Sequence, residues 1–210
     1  MERIAGIALP DTPLAREAES MAKGSLPAEI FNHSLRTFLF AELVAEASKI
    51  DHDAELLFVS AILHDTGLSA QHMSERNRFE IDGANLAREL LQRHGDATRG
   101  EIAWDAIALH DSSFARWKGP EVRLVSEGVN VDFGAHLDTL NHDRIRAVLR
   151  AAPRTNFIPS FLDHVAALVK KKPFATGVCF VTDVAYRLVP GFHVDNFVDA
   201  VRADDPFASL

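Results

Sequence analysis

From about residue 14 onward, apolar residues recur at steps of three and four along most of the chain, the period of helices that each bury one face. Residues 1–13, interrupted by Pro10 and Pro13, lack that period and read as an irregular lead-in. "LPAEIFNHSLRTFLFAELVAEASKI" predicts a long helix with Pro27 near its first turn. "DHDAELLFVSAILHD" predicts a second, capped by Asp51 or Asp53 and ended near Gly67. "DGANLARELLQRHG", stopped by Gly95, and "ATRGEIAWDAIALHD" predict the third and fourth. "PEVRLVSEGVNVDFGAHLDTL" predicts a fifth from Pro120, with Gly128 and Gly134 as weak points. "HDRIRAVLRAAP" and "PSFLDHVAALVKKKP" are shorter and each closes on a proline. "GFHVDNFVDAVRADDP" holds one more amphipathic piece, while "TGVCFVTDVAYRLVP" fits strand and helix equally. The expected architecture is all-α, a compact bundle: a lead-in and first helix over 1–26, then one domain over 27–210 with a C-terminal helical extension.

Four ionisable groups fall on the apolar faces. His33 shares a stripe with Ile30, Thr37, Phe40 and Val44, and His64 lies in line with Leu57 and Ala61, with Asp65 beside it. His110 follows Ala103 and Ile107; Asp132 follows Val122, Val125 and Val129, and His136 continues that line. An uncompensated buried carboxylate costs several kcal/mol even after relaxation. One divalent ion answers several of these needs together, because imidazole nitrogen and carboxylate oxygen are ligands that zinc, manganese and iron accept. A single inward histidine is more often a satisfied core residue; that explanation would have to recur on three helices here. His52, His72, His94, His142, His164 and His193 are read as surface or capping residues.

Composition narrows the function. With 30 acidic against 22 basic residues and a net charge of −8, the chain is not built for a general electrostatic grip on nucleic acid or anionic membrane. No uncharged apolar run is long enough to cross a bilayer, and the N-terminus lacks the basic start and apolar stretch of a secretory signal. The single cysteine, Cys179, has no internal disulfide partner and reads as a buried structural thiol. The expectation is a cytoplasmic protein with a small-molecule substrate and no nucleic-acid or membrane partner; self-association as a homo-oligomer stays open.

The order His33, His64–Asp65, distant Asp132, each on its own helix, resembles the HD superfamily of metal-dependent hydrolases. Within it, "NHSLRTF", "ILHDTG", "RFEIDGANLA", "AIALHD", "NHDRIRAVLRAAPRTNF" and "KKKPFATG" are similar to the cyanamide hydratase-like branch over about residues 30–177. The resemblance implies an HD-domain helical bundle in which His33, His64, Asp65 and Asp132 hold a divalent ion, zinc first, with manganese or iron as alternatives. It also implies hydration of a nitrile-type carbon, as in cyanamide becoming urea. Asp65 and His110 are the catalytic candidates. His110 is free to orient water, donate a proton, add a ligand, or merely sit at a helix C-terminus favoured by the dipole. Phe79 is expected to wall the pocket and Glu80 or Asp82 to touch water or substrate, although Asp82 serves equally as a cap for a helix starting at Gly83. Arg76, Arg78 and the lysines of "VKKKP" are expected in solvent. Three functions compete: a hydratase or hydrolase on a small nitrogenous molecule, a nucleotide phosphohydrolase, and a non-catalytic metal-retaining sensor. Leu68 and Ser69 stand where phosphohydrolases of this kind often carry a charged residue, which favours the first.

Overall fold

Helix starts follow the capping residues. In the computed structural model, which describes residues 3–172, 190, 191, 193, 196–203 and 206–208, α1 (Pro13–Ser25) opens with Pro13 behind Thr12, whose hydroxyl accepts from the Ala15 amide. α2 (Ala28–Ser48) follows Pro27 and ends where Lys49 turns left-handed. Asp53 caps α3 (Ala54–Leu63), Asp96 caps α5 (Ala97–Ala108), and Asn141 caps α7 (His142–Ala151). α4 (Phe79–Arg93), α6 (Pro120–Asp132), α8 (Phe157–Lys171) and α9 (Phe197–Ala203) complete the helices among the described residues. Short 3-10 turns follow α3 and α5, at Thr66–Leu68 and Ser113–Trp117. The only strands among the described residues are a two-residue hairpin, Arg3–Ile4 against Ile7–Ala8, turned by left-handed Ala5 and Gly6. The fold is all-α, as the periodicity implied. Cys179 and "TGVCFVTDVAYRLVP" lie outside the described residues, apart from Pro190.

Three boundaries differ from the pattern. α4 begins at Phe79 rather than Asp82, because the Arg78 carbonyl already accepts from the Ile81 and Asp82 amides. Asp82 therefore lies within the first turn instead of capping it. α6 stops at Asp132: Gly134 takes φ +100° and the Ala135 amide reaches back to the Asn130 carbonyl, the six-to-one closure of a Schellman end. His136 consequently leaves the buried line, turns left-handed, and binds Glu127 at the surface. α8 starts at Phe157, two residues before Pro159, since a first-turn proline forfeits no helical hydrogen bond.

The core forms around α2 and α3. Every residue from Leu56 to Leu63 is buried, and α2 buries Phe38, Leu39, Phe40 and Ala41 completely. Each large apolar side chain so buried contributes about 1.5–3 kcal/mol relative to exposure. One apolar cluster runs from Ile7 to Phe207, joining the lead-in to the tail. Two glycines permit the close approaches that place the site. At Gly83 a Cβ would stand 3.0 Å from the His64 carbonyl, so α4 lies directly on the end of α3; at Gly67 it would stand 2.0 Å from the Phe79 carbonyl. Among the described residues, no helix is long and apolar enough to cross a membrane.

Candidate metal centre

Four helices deliver their ionisable residues to one buried point. His33 lies early in α2, His64 and Asp65 leave the end of α3, His110 follows α5, and Asp132 ends α6; all five are buried. The His33 Nε2 is 3.3 Å from the His64 Nε2, and the Asp65 Oδ2 is 3.3 Å from His64 Nε2 and 3.7 Å from His33 Nε2. These three side chains offer ligand atoms that all lie within 4.8 Å of one another.

The protons on the rings are fixed from behind. His64 Nδ1 lies 2.7 Å from the Ala61 carbonyl and His110 Nδ1 2.7 Å from the Ile107 carbonyl. His33 Nδ1 lies 2.7 Å from the Asp132 Oδ2. Carbonyl and carboxylate only accept, so each Nδ1 carries the proton and each Nε2 presents a lone pair. Two bare nitrogens 3.3 Å apart, beside a carboxylate oxygen with no hydrogen-bond partner, repel one another unless a cation lies between them. A borderline-soft divalent ion that takes imidazole and carboxylate fits this donor set.

Electrostatics agree with neutral imidazoles. Burial, with neighbouring His110, lowers the His64 pKa to about 3, and burial lowers that of His33 against the pull of Asp132. Burial raises the Asp65 carboxyl, with His33 opposing. Burial works against ionisation of Asp132 as well, yet Arg36 and the His33 hydrogen bond hold it below the usual carboxylate range.

Of the sequence candidates, Asp132 joins the cluster on the far nitrogen of His33, not on the side where His33, His64 and Asp65 converge. Arg36, fully buried, donates to both Asp132 oxygens and also to the carbonyls of Ala152 and Pro153. Arg154 donates to the Asp132 Oδ1 and its carbonyl. Neither arginine stood out in the sequence, though Arg36 lies three residues after His33 and so shares its inward side. Phe157 stacks on the His33 ring at 4.6 Å, and Phe133 and Phe161 approach it edge-on.

α4 closes another side. Phe79 meets His110 edge-on at 5.8 Å between centroids. Glu80 is buried; burial raises its pKa, Arg78 pairs with its Oε1, and its Oε2 has no hydrogen-bond partner. Arg78 is not left to solvent: it bridges Glu80 and Asp111. Asp82 has both oxygens committed, to the Ser74 amide, Asn77 Nδ2 and Lys172 Nζ. Lys172, read from sequence as a solvated helix end, is 1 % exposed and donates also to the Ser74 and Asn77 carbonyls. The helix end lies over the 74–82 segment, where this ammonium answers the buried carboxylate.

Residues 30–128 match the family model of the HD domain. That part of the chain is similar to an HD domain. The matched span holds His33, His64, Asp65 and His110 and ends before Asp132. The chain is also similar to two curated proteins of Saccharomyces cerevisiae, cyanamide hydratase DDI2 and cyanamide hydratase DDI3. It is 26% identical to each over 174 residues, covering 79% of this chain and 76% of the relative.

Proposed function

We propose that this chain is an HD-domain protein and a metal-dependent hydratase or hydrolase acting on a small, uncharged nitrogenous molecule, with cyanamide the first substrate to test. His33 Nε2, His64 Nε2 and Asp65 Oδ2 would hold the ion, and zinc is the first expectation for two imidazoles and a carboxylate. The carrying observation is the pair of bare imidazole nitrogens 3.3 Å apart beside an unpartnered carboxylate oxygen. When bound, a divalent ion supplies Lewis acidity that brings water into the neutral pH range and polarises an unsaturated carbon.

The chain's own residues do the rest. His110 presents Nε2 as an acceptor, because its Nδ1 is spent on the Ile107 carbonyl, so it orients water or receives a proton from it. Glu80, buried beside Phe79 at the start of α4 with an unpartnered Oε2, is the group on that helix assigned to meet water or substrate. Phe79 walls the α4 side, and Phe133, Phe157 and Phe161 surround His33 with rings that exclude bulk water. A phosphate substrate finds less support: Arg36 and Arg154 are engaged by Asp132, Arg78 by Glu80 and Asp111, and Lys172 by Asp82.

The test is to strip the purified protein with chelator, reload it separately with Zn²⁺, Mn²⁺ or Fe²⁺, and supply cyanamide or a panel of nucleoside monophosphates. Metal-dependent urea release without phosphate release is expected. Phosphate release alone would support the phosphohydrolase instead, and silence on both with a full complement of metal would favour a sensor.

A further inference from the structure

Asp132 is engaged on every side, whereas Asp65 is not. Asp132 Oδ1 accepts from Arg36 Nε at 2.9 Å and Arg154 Nη1 at 2.5 Å; Asp132 Oδ2 accepts from Arg36 Nη2 at 2.8 Å and His33 Nδ1 at 2.7 Å. The Asp65 Oδ2, equally buried, has no hydrogen-bond partner. We propose that Asp132, clamped by Arg36 and Arg154, is a positioning residue that fixes the tautomer and orientation of His33, and is not a fourth ligand. The inference rests on the reading of His33, His64 and Asp65 as the metal site.

Geometry comes first. The two nitrogens of an imidazole point away from each other across the ring, so a carboxylate bound to Nδ1 stands behind the ring, away from the ion that Nε2 faces. Only Nε2 of His33 lies near His64 and Asp65. Charge comes second. Two guanidinium cations already oppose the single Asp132 carboxylate, and a dication on that same carboxylate would lie against both of them. Rigidity comes third. Arg36 ties Asp132 on α6 to the Ala152 and Pro153 carbonyls beyond α7, and both arginines lie over the face of Phe157, the ring stacked on His33. The clamp thereby sets both the proton and the plane of the imidazole, the outer partner that a ligating histidine needs.

Asp132→Asn keeps the shape of the side chain while weakening its acceptance from Nδ1. Chelator-stripped wild type and variant are titrated with Co²⁺, recording the visible absorption envelope, and then competed with Zn²⁺ for affinity. The expected result is one equivalent bound, an unchanged envelope, and affinity weakened about 10–100-fold. A changed envelope, or affinity equal to wild type, would overturn the assignment. Should Asp132→Asn fail to fold, Arg154→Gln serves, since Arg154 is partly exposed and the carboxylate remains. Weaker binding with the same envelope supports a clamp. Tighter binding would mean that the released carboxylate had joined the ion, and would overturn it. Failure of the wild type itself to take up Co²⁺ would instead remove the metal site on which both readings stand.

Discussion

Gly128→Ala tests how the site is placed more sharply than any change within it. Gly128 sits inside α6 where that helix crosses α2, and a Cβ there would stand 2.1 Å from the Thr37 carbonyl oxygen and 3.1 Å from the Ala41 Cβ. The nearest obstacle is backbone, which cannot rotate aside, so the helices must separate by roughly an ångström to reach ordinary contact distance. Helix propensity alone says the opposite: alanine in a helix interior is favoured over glycine by about 1 kcal/mol. Overpacking costs about 1–3 kcal/mol, and a backbone clash belongs at the upper end, leaving a net loss of about 2 kcal/mol. For a chain of this length that lowers Tm by about 4–8 °C. The separation also reaches the chemistry, because His33 lies one turn before Thr37 and Asp132 one turn after Gly128. Their 2.7 Å hydrogen bond would stretch beyond useful length. Thermal unfolding by circular dichroism, with a Zn²⁺ competition titration on the same samples, measures both effects. A variant as stable as wild type or more so, with unaltered zinc affinity, would refute the close crossing as the device that positions His33.

Two further outcomes follow from buried charges. His64, held near 3 in the fold against 6.5 in the open chain, stays neutral where the unfolded chain takes a proton, so its contribution is fully present above pH 6.5 and is lost as pH falls. At about 1.4 kcal/mol per pH unit, metal-free wild type should lose about 2 kcal/mol more than His64→Gln between pH 7 and pH 5. Equal losses in denaturant titrations at the two pH values would contradict this. Lys172→Met strands the buried Asp82 carboxylate and should cost about 3–5 kcal/mol, while the double variant Lys172→Met/Asp82→Leu should recover part of it. Urea unfolding of wild type, both single variants and the double variant closes the cycle, and additive losses would show that the pair is not coupled.

The sequence by itself determined that the chain is helical, where most helices start, and that His33, His64, Asp65, His110 and Asp132 face inward. Periodicity encodes which side of a helix is buried, and capping residues mark ends locally, so both can be read without any partner in view. It also carried the HD-domain resemblance, because the adjacent His–Asp pair and the histidines before and after it keep their order along the chain. Only the tertiary structure decided which nitrogen of His33 faces the carboxylate, that Arg36 and Arg154 enclose Asp132, and that Lys172 rather than a helix end takes up Asp82 across 90 positions of sequence. Those choices depend on how closely helices cross and in what register. Glycines 67, 83 and 128 set these through contacts with distant backbone, and a pattern along one helix says nothing about the carbonyl of another.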